Sequence, residues 1–454
     1  MRTTQKLASA TVFDSLFVLL MLLSGSTLAK VAFGQGPVAA TVALLATVIA
    51  VVHGRLHLFF IKFFGLILFF LGHQIALALL HTNYSIFSSQ FVIFLLSIYV
   101  AYLASNVFYN RRFAFVRAYN FWMRVLIVHA LLAVVANVLL PGHPFPNLVD
   151  EHKHWRGIHP LLSISVLVDY TGQELPANLL GLGLERAHGL FTEPGVFVNY
   201  VALFLFLNLF VNFHKKNLAL GVLAILAAWS STGLLLLLFL AVSYFFFARK
   251  ALRSQFPRTF PLLRVAWFVL GMPALFVLIF QNLTQSSYGT EVKQGSISQR
   301  YFDTYAAALA IADRPVLGSG INLNNFSEAL SSEEHLRQID ASLSEWELVS
   351  KDQARFSNST LRLLVTFGLP IGFFLFTGLW RQGLLPRSHN TVLFGLILLG
   401  TLASTVLWHG FYLPLLFTGL LMPRMRPHEK NQPAVTATGL TQKEFAVGGD
   451  VFQA

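Results

Sequence analysis

Arg186, His188 and Glu193 lie within a few residues of one another in Leu184-Glu185-Arg186-Ala187-His188-Gly189-Leu190-Phe191-Thr192-Glu193-Pro194-Gly195. There a polar stretch runs into an apolar helix expected to begin near Gly195. Ionisable groups at such a boundary are costly unless they meet partners or a substrate. A cation, an imidazole and a carboxylate gathered there point to chemistry on an anionic, lipid-borne molecule. Each also has a plainer role. An arginine near a helix end can snorkel to headgroups, and a carboxylate before Pro194 is stabilised by the helix dipole by about 0.3–1 kcal/mol.

A second set of polar groups lies further along. Ser298-Gln299-Arg300-Tyr301-Phe302-Asp303 precedes an Ala/Ile-rich run at 306–312, expected to be a half-buried helix. Asp313-Arg314-Pro315-Val316-Leu317-Gly318-Ser319-Gly320 should end that helix in a turn. Glu333-Glu334-His335-Leu336-Arg337 then reads as part of a charged surface helix. Arg300 has a carboxylate in reach at Asp303, and Arg314 sits beside Asp313.

The elements that must position these groups are membrane spans. The chain is 55% hydrophobic and 11% charged, with mean hydropathy +0.64, against roughly 25% charged residues in a soluble domain. Apolar runs near 9–29, 36–52, 57–80, 87–105, 121–140, 195–213, 217–230, 232–248, 262–281, 357–380, 390–408 and 410–423 approach the length that crosses a bilayer. The expected fold is an all-α polytopic membrane protein of about 12 transmembrane helices. Transmembrane helices fill 1–140, 195–281 and 357–426, two long loops containing short helices fill 141–194 and 282–356, and 427–454 is a polar tail expected to be disordered.

Charge sets the orientation. Counting gaps from a cytoplasmic start puts Arg2, Lys6, Arg55, Arg111, Arg112, Lys215, Lys216, Arg249, Lys250, Arg381, Arg387, Arg424 and Arg426 on the cytoplasmic side. Both termini are then cytoplasmic and both long loops periplasmic. These loops hold six and ten of the 20 acidic residues but few of the 32 Lys and Arg. The net +12 therefore belongs to the cytoplasmic face and its lipid headgroups, and no nucleic-acid partner is expected. The first apolar run carries Asp14 and no signal-peptide cleavage pattern, so it should remain as a helix. Zero cysteines exclude disulfides and thiol chemistry. His143, His152, His154 and His159 fit no standard ligand spacing, so no metal is expected.

Arg186-x-x-Gly189-x-Phe191-x-Glu193-Pro194 opening a helix resembles the bacterial O-antigen and exopolysaccharide polymerases of the Wzy type and their relatives, the O-antigen ligases. Ser230-Ser231-Thr232-Gly233, Arg300 with its Ala-rich helix and Pro315-x-x-Gly318-x-Gly320 agree in order and spacing. So does Ser357-Asn358-Ser359-Thr360 leading into Leu363-Leu364-Val365-Thr366-Phe367-Gly368. The resemblance implies a glycosyltransferase of GT-C-like architecture in the bacterial inner membrane, acting at its periplasmic face. Such an enzyme moves a growing glycan from undecaprenyl pyrophosphate onto a new lipid-linked repeat unit. It needs no cofactor, and a chain-length regulator is the implied protein partner.

By that resemblance Arg186 and Arg300 bind the pyrophosphate, with Arg314 and His188 as lesser candidates. Guanidinium groups stay charged, bind phosphate oxygens bidentately and stabilise a departing diphosphate. The acceptor hydroxyl needs a general base; Glu193 is the first candidate, with His335 and His188 behind it. Ligase relatives carry a His where Ser357-Asn358-Ser359 stands here, which favours a polymerase over an O-antigen ligase acting on lipid A-core. A lipid-linked glycan flippase or transporter is the alternative of another class. It should carry its polar groups through the spans, whereas here they gather in and beside the two loops.

Overall fold

The computed structural model describes residues 2–25, 34–54, 56–80, 88–109, 111–139, 158–161, 165–168, 187, 189–191, 193–247, 296–321, 358–386, 389–402, 404, 406–408 and 410–423. Statements of absence below concern these residues alone. All of them except Pro423 lie in one unit, Met1–Met422.

The apolar runs are helices. They form α1 (Arg2–Leu23), α2 (Gln35–Val52), α3 (Phe60–Leu80), α4 (Ser89–Phe108), α5 (Arg112–Leu139), α6 (Pro194–Phe206), α7 (Lys215–Ala228) and α8 (Ser231–Phe247). After α9 (Ser296–Asp313) come α10 (Ser359–Arg381), α11 (Asn390–Leu402) and α12 (Tyr412–Leu421). Eleven of the twelve expected spans correspond to these helices, and the run at 262–281 lies outside the described residues. Six stretches are long and apolar enough to cross a membrane: α2, α3, α4, most of α5, α6 with its extension, and α10. The chain is a multi-pass, helical membrane protein. The first long loop departs from the expected short helices. Its described backbone forms an antiparallel hairpin, β1 (Ile158–Leu161) with β2 (Ser165–Val168), Ile158 opposite Val168. β-branched Ile158, Val166 and Val168 favour that geometry.

The outward surface is built for lipid. Leu44, Val48, Ile61, Phe64, Leu68, Leu79, Val125 and Leu132 are all exposed, which costs nothing in hydrocarbon. At the opposite extreme, no residue of α6 from Val196 to Phe206 is more than 5% exposed. A helix apolar on every side belongs at the centre of a bundle, and α6 is packed by α5, α7, α8 and α11. Its asparagine Asn199 is hydrogen-bonded to the Gly195 carbonyl (2.7 Å), while the buried Tyr200 hydroxyl has no partner among the described residues. Past Phe206 the helix loosens into a π turn, Leu207–Val211. There Asn208 donates to the Phe204 carbonyl (2.8 Å) and to Asn120 Oδ1 (3.1 Å), and accepts from Asn217 Nδ2 (2.8 Å).

Short connections make successive helices alternate, so the bundle has two ends. One is basic. There Asp14, 1% exposed, is gripped by both terminal nitrogens of Arg111 and lies 3.1 Å from His53 Nε2. His53 Nδ1 is 2.8 Å from the Ile49 carbonyl oxygen. Both ring nitrogens face acceptors, so the fully bonded form is the imidazolium. The hydrogen bond to Asp14 raises the His53 pKa from its usual 6.5, against a smaller lowering by burial.

A raised folded pKa makes this contribution complete below the unfolded value near 6.5 and lost as pH climbs through the folded one. The melting-temperature gap between the parent protein and His53→Phe in detergent should therefore be widest near pH 6. It should narrow steadily as the pH rises from there through the raised folded pKa. A gap independent of pH would contradict the charged assignment.

Candidate functional site

At the other end of the bundle, Ala187, Gly189 and Phe191 are pinned on three helices. The Ala187 N–H donates to the Ala227 carbonyl at the end of α7 (3.0 Å). Gly189 (φ 57°) lies flat on α5, where a Cβ would come 2.9 Å from that of Ala130. Phe191 packs against Phe197 and Tyr200 of α6, with ring centres 5.6 and 4.7 Å apart. Glu193 then caps α6 in extended conformation with Pro194 in its first turn; its side chain does not bond the helix N–H groups, and it is exposed. The dipole still favours its charge, but the carboxylate is not committed to the cap.

The described part of the last polar motif, Asn358 to Thr360, is spent on architecture. Asn358 Oδ1 caps α10 by accepting from Leu361 N (3.0 Å). Ser359 Oγ lies 2.6 Å from the Ser404 carbonyl oxygen and 3.0 Å from that of Thr401, and accepts from Leu407 N (3.2 Å). Thr360 Oγ1 is 2.8 Å from Thr401 Oγ1, whose own hydrogen goes to the Leu398 carbonyl. Asn199 of α6 donates to Ser404 Oγ (3.2 Å). These hydroxyls and amides bind the starts of α6 and α10 to the end of α11. None of them is positioned as a spare base.

The turn after α9 docks into a break in α10. At Gly368 (φ 73°, ψ 173°) the helix interrupts, and Pro370 follows. Proline has no N–H, so the Thr366 carbonyl loses its helical donor; Gly320 N supplies one at 2.9 Å. Leu369 N turns to the Pro315 carbonyl (2.7 Å), and Ser319 N takes the Val365 carbonyl it abandons (2.8 Å). The Leu317 carbonyl accepts from His73 Nε2 (2.8 Å), while Gln74 Nε2 donates to His73 Nδ1 (3.1 Å), which fixes the Nε2–H tautomer. The break lies nine residues below the start of α10, or about 14 Å. The loop thus folds back well inside the helical layer. Ala306, Ala307 and Ala310 of α9 bury against Val365, with Leu361 alongside.

The candidate residues divide accordingly. Arg186, His188 and His335 lie outside the described residues. Glu193 stands at the loop end. Arg300, near the start of α9, is on the loop side of the α9–α10 contact. Arg314 is half-buried just past the end of α9. Its fourteen-residue separation from Arg300 is about 21 Å of helix. Among the described residues no group of three or more His, Asp and Glu could hold a metal ion.

Sequence reasoning missed Arg362, hidden inside the apolar run of α10. Its Cζ stands 4.9 Å from the ring centre of Trp408. The available signal was a lone cation one turn into a membrane helix, a position that calls for a partner.

Residues 217–377, about a third of the chain, match the family described as O-antigen ligase. That match supports the O-antigen ligase/polymerase superfamily for this segment. Members of that superfamily are glycosyltransferase-like enzymes. No curated protein and no solved structure gives a match. The superfamily domain runs from α7 through the Ser-Ser-Thr-Gly hairpin, α9 and the docked turn into α10. It therefore includes Arg300, Arg314 and Arg362, while Glu193 lies outside it, at the start of the helix whose Asn199 bonds Ser404.

Proposed function

We propose that this protein is an O-antigen or related polysaccharide polymerase. It transfers a growing glycan from undecaprenyl pyrophosphate to a new lipid-linked repeat unit at the periplasmic face of the bacterial inner membrane. In this reading both termini are cytoplasmic, and the segments 1–140, 195–281 and 357–426 are the spanning regions. Arg186 and Arg300 hold the diphosphate as it leaves, with His188 and Arg314 in support. Glu193 takes the proton from the acceptor hydroxyl, with His335 as the second candidate base. A chain-length regulator is the expected partner.

The observation that carries the choice of polymerase is the use made of the final motif. Ligase relatives have a His in this region; here Asn358 is a helix cap and Ser359 a hydrogen-bonded stitch. A base from elsewhere is then required, and Glu193 is joined to the same helix ends without being held as a cap.

The deciding assay gives the purified protein only undecaprenyl-linked repeat units. Longer lipid-linked oligomers should form without any lipid A-core. A product that appears only when lipid A-core is added would make it a ligase, and translocation of the lipid-linked glycan without any new linkage would make it a flippase.

A further inference from the structure

We infer that the basic end of the bundle carries a seat for an anionic phospholipid, its phosphate held where α5 meets the start of α7. The seat does not depend on the polymerase reading. Four cations flank this seam. Arg117 and Arg124 of α5 are both exposed, two turns apart on one face of the helix. Lys215 and Lys216 open α7 and are exposed as well. Side-chain amides tie the two helices at this level. Asn120, between the two arginines, accepts from Asn208 Nδ2 (3.1 Å), and Asn217 in the first turn of α7 donates to Asn208 Oδ1 (2.8 Å). The level of Asn120 is therefore the level at which α7 begins.

Arg124 lies one turn deeper, about 6 Å along α5, on a surface that is otherwise apolar. Its neighbours Phe121, Val125 and Val128 are 46%, 44% and 44% exposed. A cation facing hydrocarbon is costly unless an anion reaches it. Its Nε donates to the Asn120 carbonyl (3.3 Å), so the side chain runs back toward the basic end, the direction in which helical side chains lean. Among the described residues the carboxylate of this end is Asp14, which is 1% exposed and already held by Arg111 and His53. A phosphodiester supplies the negative charge. Guanidinium groups bind its oxygens in pairs, and the start of α7 adds its dipole. Depth favours a lipid over an acidic peptide. A water-borne carboxylate would have to enter the apolar layer to meet Arg124. A phospholipid keeps its phosphate at the boundary while its acyl chains lie along Phe121, Val125, Val128 and Leu132. Seated there, it braces α5 against α7 beside the π turn that ends α6.

The test titrates dioleoyl phosphatidylglycerol or dioleoyl phosphatidylcholine into the full-length protein in a non-ionic detergent and follows the melting temperature. Phosphatidylglycerol should act at a concentration at least about tenfold lower. Arg117→Gln with Arg124→Gln should remove most of that preference, and Arg117→Lys with Arg124→Lys, which keeps both charges, should retain most of it. Lys62→Gln with Arg381→Gln removes the same charge from exposed positions elsewhere at this end and should leave the preference in place. Native mass spectrometry, counting the phosphatidylglycerol retained by each variant, gives a readout independent of stability. Equal losses in the two glutamine pairs would overturn the proposal, because the lipid would then answer only the net charge of the face. Phosphatidylcholine acting as well as phosphatidylglycerol would overturn it too. Glycerol 3-phosphate carries the anion without the chains and should not displace the lipid; displacement would make this a site for free phosphate esters. Displacement by an oligoglutamate peptide would make it a docking site for an acidic protein segment instead.

Discussion

Replacing Arg300 by Ala, or Arg186 by Ala, should abolish long glycan chains on the cell while leaving the amount of protein in the membrane unchanged. A diphosphate gains charge as its bond to the sugar breaks, and a fixed guanidinium interacts more strongly with that state than with the intact substrate. Loss of one such donor from a water-poor site costs roughly 10²–10³ in rate, or about 3–4 kcal/mol. A chain extended through many cycles cannot absorb such a loss and still reach full length. Arg300→Lys should recover little, since an ammonium lacks the two-pronged geometry. The measurement is the ladder of chain lengths on a gel beside an immunoblot of the membrane fraction. A normal ladder from either alanine variant would remove that arginine from the mechanism.

A comparably large effect is expected at two glycines that carry no functional group of their own. Gly318→Ala and Gly368→Ala should each destabilise the protein by at least about 2 kcal/mol and shorten the chains it makes. Both residues have positive φ, 68° and 73°, which alone costs a residue with a Cβ about 1–2 kcal/mol. Each added methyl would also meet backbone. At Gly318 it would strike the α10 chain near Val365–Gly368, and at Gly368 the carbonyls of Pro315 and Val316. Backbone cannot rotate aside as a side chain can, so the docked turn must lift. Leu369, Ser319 and Gly320 would then lose their cross-chain hydrogen bonds. Gly195→Ala is the control, because nothing lies within 4 Å of its added methyl and a change within about 0.5 kcal/mol is expected. Melting curves in detergent for the three variants decide the point. Equal melting temperatures would show that the docked turn does not hold α10 to the loop.

The two glycines also show how far reading the chain could go. Pro315-x-x-Gly318-x-Gly320 and Phe367-Gly368 stand out as separate motifs, and glycine and proline mark turns wherever they cluster. Nothing in either stretch announces that one completes the hydrogen bonds of the other, because that pairing joins segments fifty residues apart. Ser359 and Asn199 behave in the same way. Each is a polar residue in an apolar run, and only contact with Ser404 and Thr401 distinguishes a stitch from a reactive hydroxyl. Asp14 could be flagged as costly inside a span, while Arg111 and His53 become its partners only because α1 packs beside the ends of α2 and α5.

What the amino-acid order determined by itself is the solvent and the scaffold: apolar runs near bilayer length, a basic side, two acidic loops and helix starts at Pro194 and Ser359. These follow from local chemistry, since a backbone in hydrocarbon must satisfy its own hydrogen bonds and a helix does so within one segment. What only the tertiary structure decided is which polar groups are consumed and which remain available. Hydrogen bonds and ion pairs between distant segments depend on packing, so Asn358, Ser359 and His73 emerge as engaged, while the Trp408 Nε1–H emerges as a donor still to be met among the described residues.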